Sequence, residues 1–494
     1  MNSKVMFWVN DDLSTLGLID IIQKKYDFDV YSILDITDKT KKFFLEQRII
    51  KFSKIWYLHD HILKNSKKAD LDYLKLVEKK YDIDLKLMAS NERFFNKFNQ
   101  FYNFSVDEIN SIIEQECKLF ERVLDEIKPD FLVIGITTLH HNHLFYKICK
   151  ARGINIRMIR PSSLAGKYIV GDSEISFMNE NVKKRYNFKT FSEIQKFLKE
   201  YDSSKRAKKV IEVFQSSRMN FFKAMVVYMF SGNSNIRTHY SYYGRKKLSV
   251  VKQMFSYEMN KWFRKSFMKK NLIQKLDHNE SYVYYPLHVE PERSVNIAAP
   301  KFSNQIEVIE KISSSLPAGC KLYVKEHPVM HVRGWRETKI YKKIMSIPNV
   351  RLFHPAFSSE LLLKNSSLVI QIGGTSVLEA AFYNKPSIIF TDLDYLLISS
   401  IHKISSYDEL SSKIEYLMGK EVKISDLNDY IDLVDANSFE VDLIGLSQKF
   451  ADIFRYNGFL MDTEIPIDKM ENYLKEYQEE FSKYAKEIVN RMSS

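Results

Sequence analysis

The sequence predicts an α/β protein with two doubly wound domains, each built on a parallel sheet. Three observations predict this. The 494 residues are too many for one ordinary domain. Both halves alternate apolar, strand-like runs with segments whose apolar residues recur at helical spacing. In the second half, polar or glycine-rich groups follow four of five predicted strands, where such sheets bind ligands.

The first half contains the elements of a parallel sheet. Strand-like runs are, in order, KVMFWVN, FDVYSIL, DFLVIGITT and INIRMIR. Helices are predicted at 14–25, in SVDEINSIIEQECKLFERVLDEI and in HHNHLFYKICKARG. Ser105 can cap the long helix, Pro129 stops it, and Gly153 ends the next one. Strands that alternate with helices in this way form βαβ units.

The second half repeats the pattern more regularly. Its five predicted strands are SYVYYPLHVEPE, CKLYVKEHP, NVRLFHP, SLVIQIGG and KPSIIFTDLDY. Helices follow each of them, the first capped by Ser303. We therefore predict an N-terminal domain over 1–276, with a basic helical extension over about 180–276. A C-terminal domain over 277–455 and a helical segment over 456–494 complete the chain.

Composition excludes several classes of protein. We find no apolar run of membrane-spanning length, and we expect no signal peptide at the N-terminus. The three scattered cysteines argue against a disulfide framework or a cysteine zinc site and fit a reducing cytosol.

The net charge of +12 comes from one region. Residues 203–276 hold seventeen Lys or Arg and two acidic residues, interleaved with aromatic side chains. Such a stretch suits nucleic acid, an anionic membrane surface, or a solvated helical face. We favour the membrane surface and predict no nucleic acid partner, because no known RNA-binding motif is present.

The predicted strand ends carry groups suited to a charged ligand. Gly373-Gly374-Thr375-Ser376 joins a strand to a helix, where glycines and free amides favour phosphate; the alternative is a tight turn with an ordinary cap. Glu379, one helical turn on, can accept both hydroxyls of a ribose or can be a solvated carboxylate. Side-chain alternation puts Lys325 on the same face as His327, and Glu326 on the other.

Histidines follow three of these strands. His288 lies close to Glu290 and Glu292, a set that suits either acid–base chemistry or fixing of the loop. His354-Pro355 is a weaker repeat of His327-Pro328.

The first half offers two further groups of candidates. His140-His141-Asn142-His143 resembles a metal motif, but no neighbouring Cys, Asp or Glu completes a ligand set, so we predict no metal. His141 is instead predicted to touch a substrate.

Arg160 and Lys167 can hold a carboxylate of the acceptor or sugar. Asp172 or Glu174 can deprotonate an acceptor hydroxyl; the alternative is a surface loop with balanced charges.

Several of these segments resemble the bacterial capsule polysaccharide biosynthesis family, which includes Kdo transferases. They are YVYYPLHVEPE, Gln305, LYVKEHP, NVRLFHPAFSSELLLKNSSLVIQIGGTSVLEAAFYNKPSIIF and, more loosely, IRPSSLAGKYIVGD, within 130–175 and 281–395. The resemblance implies a GT-B glycosyltransferase: two Rossmann-like domains with a cleft between them, and no required metal or other cofactor.

The resemblance also implies roles for residues. His327-Pro328 and Thr375-Ser376 would contact the donor phosphate, with Pro328 also ending the strand. Asp172 is the best match to the family's base. By analogy with other GT-B chains, the final helix would pack back on the first domain.

The expected activity is glycosyl transfer in the biosynthesis of a surface polysaccharide or glycolipid. The donor would be a nucleotide sugar, CMP-linked Kdo or another nonulosonic acid, and the acceptor a glycan or lipid-linked glycan. The expected location is the cytoplasm, at the inner face of the cell membrane. Two alternatives stay open: a nucleotide-sugar epimerase on the same scaffold, and a non-catalytic scaffold of a capsule assembly complex.

Overall fold

The computed structural model describes residues 3–64, 68–96, 99–164, 166–180, 182–199 and 218–493. Residues 203–217 of the predicted basic region therefore lie outside the described residues. The described strands are β1 Ser3–Asn10, β2 Phe28–Asp35, β3 Lys54–Tyr57, β4 Phe131–Gly135, β5 Asn155–Pro161, β6 Lys167–Gly171, β7 Tyr282–Pro286, β8 Lys321–Lys325, β9 Val350–Phe353, β10 Leu368–Gln371, β11 Ser387–Ile389, β12 Ile401–Lys403 and β13 Ser438–Glu440.

The helices alternate with these strands. Those that precede β7 are α1 Thr15–Lys25, α2 Asp38–Glu46, α3 Leu71–Tyr81, α4 Leu85–Asn91, α5 Arg93–Asn96, α6 Val106–Ile127, α7 His140–Ala151, α8 Phe191–Leu198, α9 Arg218–Phe230, α10 Asn235–Thr238 and α11 Lys247–Asn271. Those that follow are α12 Arg293–Asn296, α13 Gln305–Ser314, α14 Thr338–Met345, α15 Ser359–Asn365, α16 Ser376–Ala381, α17 Leu410–Leu417, α18 Ile424–Asn437, α19 Leu443–Phe454, α20 Ile467–Glu476 and α21 Gln478–Ser493.

The chain forms two compact units. Unit 1 comprises the described residues of 1–178, 208–250 and 437–494, and unit 2 those of 179–207 and 251–436. Each unit contains a largely parallel sheet covered by helices, so the predicted pair of Rossmann-like α/β domains is confirmed.

Unit 1 has a seven-stranded sheet in the order β13-β6-β5-β4-β1-β2-β3. Side chains of β1 alternate between two apolar cores, Phe7 in one and Trp8 in the other, as a strand covered on both faces requires. β6 and β13 run antiparallel to their neighbours.

Unit 2 has a six-stranded parallel sheet in the order β12-β11-β10-β7-β8-β9. The prediction of five strands missed β12, a three-residue strand. The cap of α13 is also one residue later than predicted, because a 3-10 turn over Pro300–Phe302 precedes it. The Asn304 side chain, and not Ser303, accepts from the N–H of Glu307.

The units divide the chain at other positions than the predicted domains do. α11 joins unit 2 from residue 251 onward, where Met268 packs into the apolar core of that unit. Residues 437–455 join unit 1 because β13 pairs with β6 and Phe450 enters the core there. α21 packs against α1, with Phe481 lying over Gly17.

Candidate active site

The order of the unit 2 sheet defines where a ligand is expected. From β7 the chain adds β8 and β9 on one side and β10 to β12 on the other. The strand order therefore reverses between β7 and β10, and ligands of open α/β sheets bind beyond the carboxyl ends of the strands at such a point. His288 follows β7 and Gly373 follows β10, and the N–H of Gly373 donates to Nε2 of His288 at 3.3 Å.

The glycine loop, Gly373-Gly374-Thr375-Ser376, is held from several sides. The hydroxyl of Tyr395 donates to the carbonyl of Gly374 at 2.6 Å. Thr375 makes no side-chain cap; its hydroxyl donates to Glu379 at 3.0 Å instead. The first amides of α16, which starts at Ser376, have no carbonyl partner within that helix, as at every helix start.

Gly373→Ala is expected to destabilise this loop. An added Cβ would overlap the Cγ2 methyl of Thr391, whose hydroxyl is bound to the carbonyl of Ala298. We expect a loss of about 1–3 kcal/mol, the usual cost of overpacking. The urea concentration at the midpoint of unfolding measures this loss of stability.

Gly135→Ala is the matched control, because a Cβ at that position has nothing within 4 Å. Equal midpoints for the two variants would contradict the packing argument.

His288 has both ring nitrogens engaged. Its Nε2 accepts from Gly373, so the proton lies on Nδ1, which faces Glu292 Oε2 at 3.4 Å. The N–H of His288 donates to Gln305 Oε1 at 2.7 Å. His288 therefore ties the end of β7 to the glycine loop and positions it.

Among the described residues, His327 has one ring nitrogen with no hydrogen-bond partner, and this nitrogen can donate. Its Nδ1 accepts from the N–H of Val329 at 3.2 Å, which leaves the proton on Nε2. Burial lowers the pKa of His327 to about 4, so the ring is neutral at pH 7. Pro328 follows as the first residue of a 3-10 helix. His354, after β9, uses Nδ1 in the same way towards the N–H of Ala356 at 3.2 Å.

Lys325 is a buried cation at the end of β8. Its Nζ donates to the hydroxyl of Ser359 at 2.8 Å, and burial lowers its pKa to about 8. It shows no salt bridge to a carboxylate within the described part of the chain. Lys325 thus keeps donor capacity for an anion beyond the sheet.

Glu326 points the other way, as the strand alternation predicts. It is fully buried, and its Oε2 accepts from Arg336 Nε and from the Tyr341 hydroxyl, both at 2.8 Å. Arg336 also binds Glu290 at 2.7 Å and the carbonyl of His288. Of the two interpretations left open for Glu290, the structure supports fixing of the loop.

Unit 1 separates the residues predicted to bind the acceptor from Asp172, the predicted base. Arg160 is buried, its guanidinium donating to the carbonyl of Ser176 at 3.2 Å. Lys167 begins β6 near the carboxyl end of β5, because Tyr168 pairs with Pro161. Strand β6 thus lies between Lys167 and the turn that holds Asp172.

The predicted base Asp172 is not at the ligand-binding edge of the unit 1 sheet. Gly171 pairs with Met158, so Asp172 lies beside the middle of β5, roughly 10 Å short of its carboxyl end. Its side chain is exposed. Glu174 is nearer that edge, since its Oε1 accepts from Thr137, just after β4, at 3.3 Å.

His141 is not open to a substrate, which corrects the prediction. It is buried, with Nε2 2.8 Å from Asp35 Oδ2 and Nδ1 2.7 Å from the Tyr240 hydroxyl. Its ring stacks on Trp8. A substrate would have to displace these partners to reach it.

Asp11 is a carboxylate at this edge that the sequence argument missed. It follows β1, beside the point where the order of the unit 1 strands reverses between β1 and β4. Burial raises its pKa to about 6, although the charge of Arg455 and a hydrogen bond from the N–H of Thr37 oppose the shift. The sequence signal for this carboxylate is the segment WVNDD, in which two aspartates directly follow an apolar strand.

Residues 185–395 match a family described as capsule polysaccharide biosynthesis protein. The resemblance predicted from the sequence is thereby confirmed for this part of the chain. Residues 130–175, where the sequence resembled that family more loosely, lie outside the match. No curated protein matches the chain.

Solved structures similar to this chain include the β-Kdo 2,7 transferase KpsC of Thermosulfurimonas dismutans, with 9% identity, 75% of this chain and 90% of that chain covered, and a TM-score of 0.31. The UDP-GlcNAc 2-epimerase of Methanocaldococcus jannaschii is also similar, with 13% identity, 86% of this chain and 95% of that chain covered, and a TM-score of 0.25. The UDP-GlcNAc 2-epimerase of Neisseria meningitidis has 13% identity, with 87% of this chain and 94% of that chain covered, and a TM-score of 0.26.

Proposed function

We propose that the chain is a glycosyltransferase of surface polysaccharide or glycolipid biosynthesis, with a nucleotide sugar as donor. The family match over residues 185–395 supports the pathway. The main structural support for a transfer reaction is the set of groups at the carboxyl edge of the unit 2 sheet. There the glycine loop follows β10, the Nε2–H of His327 follows β8, and the buried cation Lys325 ends β8, with β7 between these two strands.

In our proposal the donor is a CMP-linked acidic sugar such as Kdo, as the resemblance to the capsule polysaccharide biosynthesis family implies. Transfer from this donor needs a stabilised phosphate leaving group. In our proposal the Nε2–H of His327, the first amides of α16 and the charge of Lys325 supply that stabilisation without a metal. Glu379 would bind the ribose, and His288 would hold the glycine loop in place.

The acceptor would be a glycan or a lipid-linked glycan bound by unit 1. Its attacking hydroxyl needs a base. Glu174 stays a candidate from the sequence, and Asp11 joins it because its pKa of about 6 leaves it ionised yet basic at neutral pH. Arg160 and Lys167 would contact a carboxylate of the sugar or acceptor.

Turnover with and without an acceptor tests the reaction. CMP-Kdo is incubated with the protein, alone or with glycolipid extracted from the source organism, and free CMP is measured by mass spectrometry. A transferase releases CMP only when the acceptor is present. Conversion of a nucleotide sugar to its epimer without acceptor would favour the epimerase, and failure to bind any nucleotide would favour a scaffold.

The charge of Lys325 is expected to make nucleotide binding depend on pH. Its pKa of about 8 means that the ammonium is mostly protonated at pH 7 and is lost as the pH rises through 8. We therefore expect the affinity for CMP, measured by calorimetry, to fall between pH 7 and pH 9.

Lys325→Met should bind more weakly and lose this pH dependence. Lys321→Met, at the amino end of the same strand, is the control and should retain it. An unchanged pH profile in Lys325→Met would exclude the lysine from the anion site.

We further propose that unit 2 contacts an anionic membrane surface through α11, at the inner face of the cell membrane. No described helix is long and apolar enough to cross a bilayer. Four large apolar side chains in the unit 2 part of α11 are nevertheless exposed: Phe255 71%, Met259 59%, Trp262 65% and Phe263 56%. Exposed lysines lie among and beside them: Lys252, Lys265, Lys269 and Lys270.

The opposite side of α11 fixes the helix to unit 2. Met268 is fully buried, and the hydroxyl of Tyr257 donates to the carbonyl of Val332 at 2.8 Å. An anchored helix with apolar and basic side chains outward suits the interface of a bilayer that carries anionic lipids.

The double variant Trp262→Ala/Phe263→Ala is expected to lower the fraction bound to phosphatidylglycerol vesicles. Two aromatic side chains removed from an interface should weaken partitioning by about tenfold or more. Cosedimentation measures this, and added salt should weaken the wild type as well.

Leu397→Ala, another exposed apolar position of unit 2, should bind like the wild type. Equal binding of all three proteins to anionic and neutral vesicles would refute the membrane surface.

A further inference from the structure

A buried cluster of histidines and carboxylates lies in unit 1. Glu116 on α6 and His140 and His141 at the start of α7 bring one possible ligand atom each to within 4.8 Å of one another. All three residues are at most 2% exposed. We call these three residues the His–Glu cluster.

Carboxylates hold the outer nitrogen of each histidine. Glu92 lies 2.8 Å from Nδ1 of His140, and Asp35 lies 2.8 Å from Nε2 of His141. This leaves Nε2 of His140 and Nδ1 of His141 as the nitrogens that belong to the cluster. Histidines that bind metal ions are oriented by a carboxylate on the far nitrogen in the same way.

A fourth polar group stands beside these atoms. The hydroxyl of Tyr240 is 2.7 Å from Nδ1 of His141 and 3.3 Å from Oε1 of Glu116. Nε2 of His140 is 3.0 Å from Oε2 of Glu116. Two imidazoles, a carboxylate and a further oxygen form a donor set that zinc takes in four-coordinate sites.

We propose that the His–Glu cluster binds one divalent metal ion of the zinc class. In the metal-free arrangement a proton on His140 Nε2 joins it to Glu116, and the Tyr240 hydroxyl fills the lone pair of His141 Nδ1. Binding releases the His140 proton to solvent and rotates the Tyr240 O–H from His141 Nδ1 towards Glu116 Oε1, while the hydroxyl oxygen stays the fourth donor. Closure of the site on all sides suits a structural ion that is taken up during folding.

This site could not be predicted from the sequence, because its carboxylate, Glu116, is distant from the two histidines along the chain. His140 and His141 were predicted to bind no metal, since no acidic neighbour completed the set. Glu116 comes from the preceding helix, 24 residues earlier, and Glu92 from a loop before that. The proposed ion is separate from the transfer reaction, because none of the residues proposed to bind the donor belongs to the cluster.

Zinc content and cobalt absorption test the proposal. The full chain is produced in medium supplemented with zinc chloride, purified without chelators and analysed for metal. We expect close to one zinc per chain. Refolding with Co²⁺ should give the visible bands of tetrahedral cobalt with nitrogen and oxygen ligands.

Two variants locate the ion. Glu116→Gln should lose most of the zinc, and Glu92→Gln, which removes a positioning carboxylate, should weaken zinc affinity by about 10- to 100-fold. His239→Asn is the control, because His239 is buried nearby and binds the carbonyl of Ile36 but lies outside the donor set. It should keep its zinc.

Wild-type protein with less than about one-tenth of a zinc per chain, and no cobalt spectrum after refolding, would overturn the proposal. Zinc retained in full by folded Glu116→Gln would do so too, since the ion would then lie elsewhere. If Glu116→Gln does not fold, the wild-type zinc content and cobalt spectrum decide alone.

Discussion

His327→Ala is expected to lower the turnover number of glycosyl transfer by about 10²- to 10³-fold, the effect of losing one preorganised donor to a developing negative charge. The loss is expected because of which ring nitrogen of His327 carries the proton. Nδ1 of His327 is occupied by the N–H of Val329, so its proton is on Nε2, at the carboxyl end of β8. The ring is neutral at pH 7, because burial lowers its pKa to about 4.

The fold of His327→Ala should stay intact, because the ring only accepts a hydrogen bond from the N–H of Val329 among the described residues, and Pro328 still begins the turn. Circular dichroism and the urea midpoint check this, and initial rates with CMP-Kdo and acceptor measure the loss.

His354→Ala is the matched control for this experiment. His354 also precedes a proline and accepts an N–H two residues on at 3.2 Å, but it follows β9, the edge strand. It is one strand further from the point where the strand order reverses. We expect less than about a tenfold loss in this variant, since an edge residue should not contact the leaving group. Equal losses in both would remove the phosphate role from His327.

Arg336→Ala is expected to destabilise unit 2 by about 3–5 kcal/mol, the cost of leaving a buried charge without its partner. Arg336 binds Glu326 at 2.8 Å and Glu290 at 2.7 Å, and its side chain is 3% exposed. Glu326 is fully buried and would keep the Tyr341 hydroxyl as its side-chain partner.

The same variant should loosen the candidate site, because Arg336 also holds the carbonyl of His288. The urea midpoint measures stability. The control is Lys339→Ala, which removes an ion pair to Glu337 between side chains 80% and 53% exposed and should change stability little. Similar urea midpoints for the two variants would contradict the role of Arg336 as the cation that joins the ends of β7 and β8.

The sequence predicted those features that depend on neighbouring residues. The face of Lys325 and that of Glu326 followed from strand alternation, and the structure places Lys325 against Ser359 and Glu326 against Arg336. The sheet of unit 2 was mostly recovered for the same reason. β12 was missed because three residues show no period.

Contacts between segments that are distant in sequence could not be predicted. Arg336, ten residues after Glu326, was not recognised as its partner, and Glu116 was not connected with His140. Asp172 was chosen as the best match to the family's base, but it follows β6, which is antiparallel to β5. The end of β6 therefore points away from the edge where ligands bind, a fact that only strand pairing shows.

The central claim is a nucleotide-sugar site at the carboxyl edge of the unit 2 sheet. A thermal-shift comparison of CMP, CDP, UDP and GDP on the wild type, His327→Ala and His354→Ala tests it most directly. The account predicts the largest rise in melting temperature with CMP, lost in His327→Ala and kept in His354→Ala. No shift with any nucleotide, or an equal shift in His327→Ala, would contradict it.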